Sequence, residues 1–206
     1  MKKPLLIKVA VVMLAIVVFA FLFMRSIEDT RTAPYSVQRA HLQTWTLSVE
    51  PASASNHPVL VLRAAPELSA GLFKQIFSRA MESLNSPSAP AIPLVLRGEF
   101  ESVVDRDRMT QDAMLAAARA AGIETTAPSP RCLVHRRISE PGGVRQAYLV
   151  LFDAPAITRF RAQLGLDADA LAPVLFVAGT GPDFNAWLPQ RVNAGADCVA
   201  PIEVAP

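Results

Sequence analysis

The N-terminal part of the chain contains one long apolar stretch. Sixteen apolar residues follow one another without a break over 9–24, and the stretch extends back to residue 5 with Lys8 inside it. Twenty helical residues reach about 30 Å, the thickness of a bilayer's hydrocarbon core. The residues that end the run are bulky, which disfavours the small-residue cleavage site of a signal peptide. The pattern predicts an uncleaved transmembrane signal anchor over 1–25, held in the lipid bilayer through residues 5–24.

The charges that flank this stretch set its orientation. Before it lie Lys2, Lys3 and Lys8, whereas after it Arg25 and Arg31 are partly offset by two acidic residues. Positive charge stays on the cytoplasmic side. We therefore expect a single-pass protein of a bacterial inner membrane, with its N-terminus in the cytoplasm and the rest of the chain in the periplasm.

Beyond the anchor, alternating and helical patterns of apolar residues predict one globular domain. Residues 26–41 are polar and are interpreted as a tether, and the domain follows over 42–206. Period-two and short continuous apolar runs predict strands, whereas stripes at helical spacing predict helices. The predicted strands are 42–50, 59–62, 94–96, 131–138, 146–152, 173–177 and 198–204. The predicted helices are 66–84, 105–121 with Asp105 as its N-cap and Gly122 as its stop, and 155–164 before Gly165.

An internal similarity suggests how these elements are organised. LVLRAAPEL at 60–68 aligns with LVLFDAPAI at 149–157, and each joins an apolar strand to a helix through Ala-Pro. The flanking strands correspond as well, which suggests two β-β-α-β units with the 105–121 helix between them. The alternative is that any strand–Ala-Pro–helix junction looks like this. Either way the pattern predicts an α+β or α/β fold with a mixed sheet and helices packed on it.

Composition and charge exclude some classes of function. Hydrophobic residues make up 51% of the chain, which is too many for a disordered protein. The formal charge of +2 divides into +4 for residues 1–25 and −2 for the remainder. A net-acidic domain with scattered arginines is a poor match to a nucleic-acid-binding surface, so we expect no nucleic-acid partner.

The two cysteines, Cys132 and Cys198, both lie in the exported part. An oxidising compartment favours a disulfide between them, which would close a loop of about 67 residues and stabilise the domain by roughly 4 kcal/mol. The alternative is a pair of buried free thiols. His135 lies three residues from Cys132 and points to the other face of a strand, so a Cys–His nucleophile is not expected.

The loop at 177–189 is the most suggestive candidate site. Its Gly-x-Gly follows an apolar strand, and such a turn can bind an anion on its backbone N–H groups, although the motif alone is weak. A ligand or peptide groove with Trp187 as an aromatic wall is the functional interpretation. The alternative is a loop that packs Phe184 and Trp187 over a sheet edge. The candidate ligand-binding residues are Asp153, Gly179, Thr180, Gly181, Asp183 and Trp187.

A second candidate is a group of arginines on the predicted 131–152 hairpin. Arg131, Arg137 and Arg145 could bind an anionic ligand or lipid headgroups, or they could simply form a solvated face. The acidic residues at 99–107 are interpreted as helix-capping and ion-pairing groups. The three histidines have no second ligand at close spacing, so neither a metal site nor a cofactor is expected.

No catalytic motif is evident, and we expect a binding or accessory subunit of a cell-envelope complex with a protein partner. One alternative is a membrane-tethered hydrolase with its site near Asp153 and the 179–183 loop. The other is a self-assembling envelope protein that pairs through an exposed strand edge at 145–152.

Overall fold

The computed structural model describes residues 3–80, 82–104, 109–141, 143–181, 183–188 and 191–206. The chain separates into two compact units, Met1–Ala33 and Pro34–Pro206. The first unit is one helix, α1 (Lys3–Thr32), in which the side chains from Val11 to Ser26 are exposed. The described residues contain no helix with both the length and the apolarity needed to cross a membrane. The transmembrane helix is therefore not supported by the structure and stays a prediction from the sequence.

The second unit contains two β-sheets and three main helices. The strands are β1 (Tyr35–Gln38), β2 (Trp45–Val49), β3 (Pro58–Ala64), β4 (Ala91–Leu96), β5 (Ser129–Glu140), β6 (Gly143–Asp153), β7 (Val174–Gly179) and β8 (Cys198–Ala205). The helices are α2 (Pro66–Ala80), α3 (Gln111–Ala120) and α4 (Pro155–Gln163), with shorter turns at Arg39–Leu42, Arg97–Glu99, Asn185–Trp187 and Ala194–Asp197. A stretch of π-helix spans Phe100–Val104.

The sheets have the orders β1-β8-β5-β6-β7 and β2-β3-β4. β1 and β8 run parallel, and every other described pairing is antiparallel. This confirms the α+β class with a mixed sheet. The predicted turn at 140–143 joins β5 and β6 as an antiparallel hairpin, and Gly122 and Gly165 end their helices with φ of +70° and +73°.

The same order of elements occurs twice. β2-β3-α2-β4 and β5-β6-α4-β7 each form a three-stranded antiparallel arrangement, with the strand before the Ala-Pro junction in the middle. Each helix packs on a strand of the other unit. The helix of the first unit, α2, packs against β7 and β1, and the helix of the second unit, α4, contacts β4. A shared core joins the two sheets, and the sequence-level similarity at 60–68 and 149–157 corresponds to equivalent positions in this topology.

Cys132 and Cys198 form a disulfide, which confirms the predicted bond. The bond joins β5 to β8 across a sequence separation of 66 residues. Both cysteines contribute to a second, smaller hydrophobic cluster on the other face of the five-stranded sheet.

Three expectations are corrected. The predicted tether at 26–41 contributes β1, since Tyr35 and Val37 alternate with polar residues and bury their side chains against the core. The helix predicted over 105–121 begins at Gln111, where the Thr110 hydroxyl accepts a hydrogen bond from the N–H of Ala113; Asp105 lies outside the described residues. The segment 145–152 is not an exposed edge, because β6 lies between β5 and β7.

Candidate binding groove

A groove of about 210 Å³ lies on the outer face of the three-stranded sheet. It forms there because alternation along β3 sends Leu60 and Leu62 into the core and leaves Val61 and Arg63 on the opposite side. The chain after β7 supplies the facing wall. Its lining residues are Glu50, Pro58, Val61, Arg63, Pro87, Ala89, Pro90, Ala91, Pro93, Phe176, Phe184, Asn185 and Leu188.

Four prolines give the groove a rigid and largely apolar lining. Pro58, Pro87, Pro90 and Pro93 line it, and none of them has a backbone N–H. The Pro90 carbonyl already accepts a hydrogen bond from the N–H of Ala64. A rigid surface loses little conformational entropy when a ligand binds. The prolines therefore lower the entropic cost of binding a ligand through apolar contacts.

The aromatic wall of the groove consists of phenylalanines. Phe184 packs on Phe176 with their ring centroids 4.4 Å apart. The Asp183 carboxylate accepts a hydrogen bond from the N–H of Asn185, which fixes the turn that carries this wall. Trp187 is 3% exposed and belongs to the cluster behind the turn, with the Arg145 guanidinium 5.8 Å from the centre of its ring. Trp187 is thus a core residue, as the alternative of a loop that packs its aromatic residues predicts, and Phe184 is the aromatic residue of this loop that lines the groove.

One ion pair supplies the charge in the groove. The Arg63 guanidinium donates to the Glu50 carboxylate at 2.5 Å, and the Ser48 hydroxyl donates to the same carboxylate at 3.0 Å. The side chains of Arg63 and Glu50 are 35% and 25% exposed. A partly exposed pair of this kind is worth about 0–1 kcal/mol, so a ligand with a charged or polar group can compete for either member. Sequence reasoning missed these two residues because Glu50 follows β2 whereas Arg63 lies on β3, so they form no local motif.

A more open cavity of about 530 Å³ lies next to the groove and shares Glu50 with it. The π-helical stretch contributes Phe100 and Glu101 to its wall. Arg97 donates to the Glu101 carboxylate at 2.6 Å and also to the carbonyl of Ala52. Its charged groups are paired, as those of the groove are, but one proline lines it where four line the groove, so the groove is the more rigid candidate.

The predicted loop site has a different role from the one that its glycines suggested. Gly179 exchanges two backbone hydrogen bonds with Asn85, and Thr180 donates its N–H to the carbonyl of Gln146. The Thr180 hydroxyl accepts from the N–H of Gln146 at 2.8 Å. A Cβ atom at Gly179 would approach the Phe176 ring to 2.8 Å, so this glycine is required by packing. Gly181 has a φ of +85°, as expected in a turn. The N–H groups of Gly179 and Thr180 therefore extend the sheet and are already used, so they do not bind an anion.

Asp153 lies far from this loop. It pairs with Ser129 at the end of β6, whereas Gly179 lies opposite Ala147. Six residues of strand correspond to about 20 Å. The site proposed for the hydrolase alternative, with Asp153 beside the 179–183 loop, is not assembled, because antiparallel β6 and β7 place these residues at opposite ends.

The three predicted anion-binding arginines are also separated. Arg137 pairs with Gln146 and Arg145 with Ile138, so the two arginines project from opposite faces of the hairpin. Arg131 is the extra residue at an irregularity between Pro130 and Cys132. Arg145 also donates to the Glu140 carboxylate and to the carbonyl of Asp183. The expected anion site therefore does not form as one cluster.

Two groups have shifted acidities, and both lie outside the groove. A hydrogen bond from the N–H of Asn193, assisted by Arg136, holds the pKa of Asp197 below its usual range. Burial raises the pKa of Tyr35 above 10.0 although Arg79 acts in the opposite direction. Within the described ranges no three His, Cys, Asp or Glu side chains are grouped as metal ligands.

Searches against family models, curated proteins and solved structures found no match to this chain.

Proposed function

We propose that this chain is a single-pass, membrane-anchored and exported binding subunit of a cell-envelope complex. Its domain at 34–206 would hold an apolar, extended segment of a protein partner in the proline-lined groove. The observation that carries this proposal is the groove itself, a rigid apolar surface with one competable ion pair, Glu50–Arg63. Such a surface suits recognition of a peptide by shape and apolar contact.

The anchor and the periplasmic location are proposed from the sequence. The unbroken apolar run at 9–24 and the positive charge that precedes it favour an N-terminus in the cytoplasm and an exported domain. A disulfide that joins two strands of the domain is compatible with an oxidising compartment. The location can be tested separately from the groove.

The first experiment tests the anchor in native cells. Membranes that contain the full chain are washed with alkaline carbonate, and intact spheroplasts are treated with protease. We expect the chain to stay with the membranes and the domain to be digested from outside. Release into the carbonate wash, or protection of the domain until the membrane is broken, would overturn the proposed topology.

The second experiment tests the groove by site-specific photocrosslinking in the same cells. A benzoylphenylalanine replaces Ala89, which lines the groove, or Ala70, which is exposed on α2. We expect one defined crosslinked partner from position 89, and loss of that product when Phe184→Ala is combined with it. Equal crosslinking from both positions, or a product unaffected by Phe184→Ala, would show that the groove does not hold the partner.

A further inference from the structure

The disulfide and the groove share one hydrophobic cluster. Phe184 and Leu188 line the groove, and both pack in the same cluster as Trp187, Cys132 and Cys198. This cluster lies behind the groove's facing wall. A change at the disulfide can therefore reach the wall through one continuous set of packed side chains.

The chain between β7 and β8 runs from the groove to the disulfide. We call its described residues, 183–188 and 191–197, the wall segment. Phe184, Asn185 and Leu188 line the groove near the start of this segment, and Cys198 follows directly after its end. The disulfide thus ties to β5 the end of the segment whose first half forms the wall.

Polar contacts also attach the end of the wall segment to β5. The Arg136 guanidinium donates to the Asp197 carboxylate at 3.0 Å and to the carbonyl of Arg191. The ion pair is partly exposed, and pairs of this kind contribute little to stability. These contacts orient the segment more than they hold it.

The strand that follows the wall segment has a short ladder with β5. Among the described residues, β8 and β5 pair at three positions, with an irregularity between the last two: Cys132–Pro201, Leu133–Ala200 and Val134–Cys198. Pro201 has no N–H to donate to this ladder. In contrast, β5 and β6 pair at eleven positions. The covalent bond is therefore a large part of what holds β8, and the wall segment before it, against β5.

A dithiol can open this bond by thiol–disulfide exchange. Cys198 is partly exposed, whereas Cys132 is 5% exposed, so an attacking thiolate reaches Sγ of Cys198. A mixed disulfide forms there, and the electron pair of the broken S–S bond leaves with Sγ of Cys132, which takes up a proton. The second thiolate of the dithiol then attacks the dithiol's own sulfur in the mixed disulfide and releases Cys198 as a thiol. The dithiol is oxidised to a disulfide, and the chain gains two electrons and two protons.

We infer that the Cys132–Cys198 disulfide is a redox switch for the groove, opened by a dithiol. In the oxidised chain the wall segment is held on its cluster and the groove is formed. In the reduced chain the segment loosens, and a partner must then bind the fraction of molecules in which the wall is in place, which lowers its apparent affinity. The inference rests on the proposed function of the groove and goes beyond it, because it names how binding is regulated.

The first test follows the wall without a partner. The chain contains two tryptophans, Trp187 behind the wall and Trp45 in the core shared by the two sheets. Trp45→Phe leaves Trp187 as the reporter, and Trp187→Phe leaves Trp45 as the matched control. Quenching of tryptophan fluorescence by acrylamide is measured on the full chain in mild detergent before and after reduction with dithiothreitol. Hydrogen exchange of the unsubstituted chain gives the same comparison between the wall segment and β3.

We expect reduction to raise the quenching constant of Trp187 at least about threefold, to leave that of Trp45 unchanged, and to be reversed by reoxidation. Unchanged quenching of Trp187 in a chain whose two thiols are shown by alkylation to be free would overturn the switch. A bond that dithiothreitol does not open in the folded chain would overturn it as well. Increased exposure of both tryptophans, or of both the wall segment and β3, would mean that reduction unfolds the whole domain and would also overturn it.

The second test measures binding in native membranes. Chains with benzoylphenylalanine in place of Ala89 are irradiated with and without dithiothreitol. We expect the partner crosslink to fall at least about tenfold on reduction, and to be weak under both conditions in Cys132→Ala combined with Cys198→Ala. Equal crosslinking of the oxidised and reduced chains, or full crosslinking of the disulfide-free variant, would overturn the switch and leave the function of the groove standing. Absence of any crosslink from the oxidised chain would contradict the proposed function, and the switch with it.

Discussion

The two β-β-α-β units have the same strand order, but their outer faces are packed to different extents. In the unit at 129–179, the outer residues of β6 and β7 pack into a second hydrophobic cluster with Trp187 and Leu188. In the unit at 45–96, the corresponding outer face of β3 and β4 forms the floor of the groove. One topology therefore yields an outer face packed into a hydrophobic cluster in one half of the domain and an outer face that forms a groove in the other.

The difference follows from what each unit has beside it. The 129–179 unit gains β8, the disulfide and the segments 184–188 and 192–198, which pack on its outer face. The 45–96 unit has three strands and receives only the edge of the first of these segments, through Phe184 and Leu188. We therefore expect the five-stranded side to open less readily than the three-stranded side, where the proposed binding surface lies.

The largest expected effect breaks the five-stranded side directly. Cys132→Ala with Cys198→Ala removes a cross-link that closes a loop of about 67 residues, and we expect the free energy of unfolding to fall by about 4 kcal/mol. Urea denaturation measures the total loss, and hydrogen exchange locates it. Amides of β5 and β8 should lose more protection than those of β3 and β4. Equal loss in both sheets would show that the two halves unfold as one unit.

The next effect separates covering from binding. Trp187→Ala leaves a cavity behind the covered face, and we expect it to lower the free energy of unfolding by about 3 kcal/mol. Phe184 lies on the groove side of the same turn and is partly exposed, so Phe184→Ala should change stability by about 1 kcal/mol or less and abolish partner crosslinking from position 89. If the two variants lost similar stability, the contrast between the packed outer face and the groove would be wrong.

Local patterns predicted much of this architecture. The Ala-Pro junctions at 65–66 and 154–155, the alternation at 45–49 and the turn at 140–143 each depend on neighbouring residues, and their elements lie where they were expected. The disulfide followed from having two cysteines in a segment expected to be exported. Local chemistry also placed the ends of two helices at Gly122 and Gly165.

The groove could not be predicted in the same way because its parts come from distant segments. Glu50 at the end of β2 meets Arg63 of β3 because these two strands pair, and Phe184, more than 120 residues later in the chain, lines the same groove. Asp153 was expected beside the 179–183 loop because the sequence does not show that β6 and β7 are antiparallel neighbours, which places the two at opposite ends. The sequence also does not show which aromatic residue of the loop faces the core and which faces the groove. β1 was missed because four residues carry a weak signal, and its pairing with β8 spans almost the whole domain.

A smaller effect tests how the helices are exchanged between the units. Arg161 of α4 is fully buried and donates to both oxygens of Glu99, at 2.5 and 3.0 Å, and to the carbonyl of Leu94 in β4. Glu99→Ala leaves this guanidinium without its counter-charge. Because Glu99 is partly exposed, we expect the free energy of unfolding to fall by about 2 kcal/mol, which is less than for a fully buried pair. Arg161→Met combined with Glu99→Ala should recover part of it. A double variant as unstable as the sum of both single variants would mean that the pair does not act as a unit.

The smallest expected effect uses pH to report on the five-stranded side. Tyr35 on β1 has a pKa raised by burial, so the neutral phenol is favoured in the folded state; its contribution to stability is complete below pH 10 and is lost as the pH rises toward the folded pKa. Asp197, beside the start of β8, has a lowered pKa, so its contribution is present above about pH 3.8 and is lost as the pH falls. The unfolding temperature of Tyr35→Phe should therefore depend less on pH above 10 than that of the parent chain. The unfolding temperature of Asp197→Asn should depend less on pH only at acidic pH. β1 is held in the sheet by its pairing with β8. If the stability of Tyr35→Phe fell above pH 10 as steeply as that of the parent chain, β1 would open before the rest of the sheet unfolds. The stable part of the sheet would then end at β8 and would not include β1.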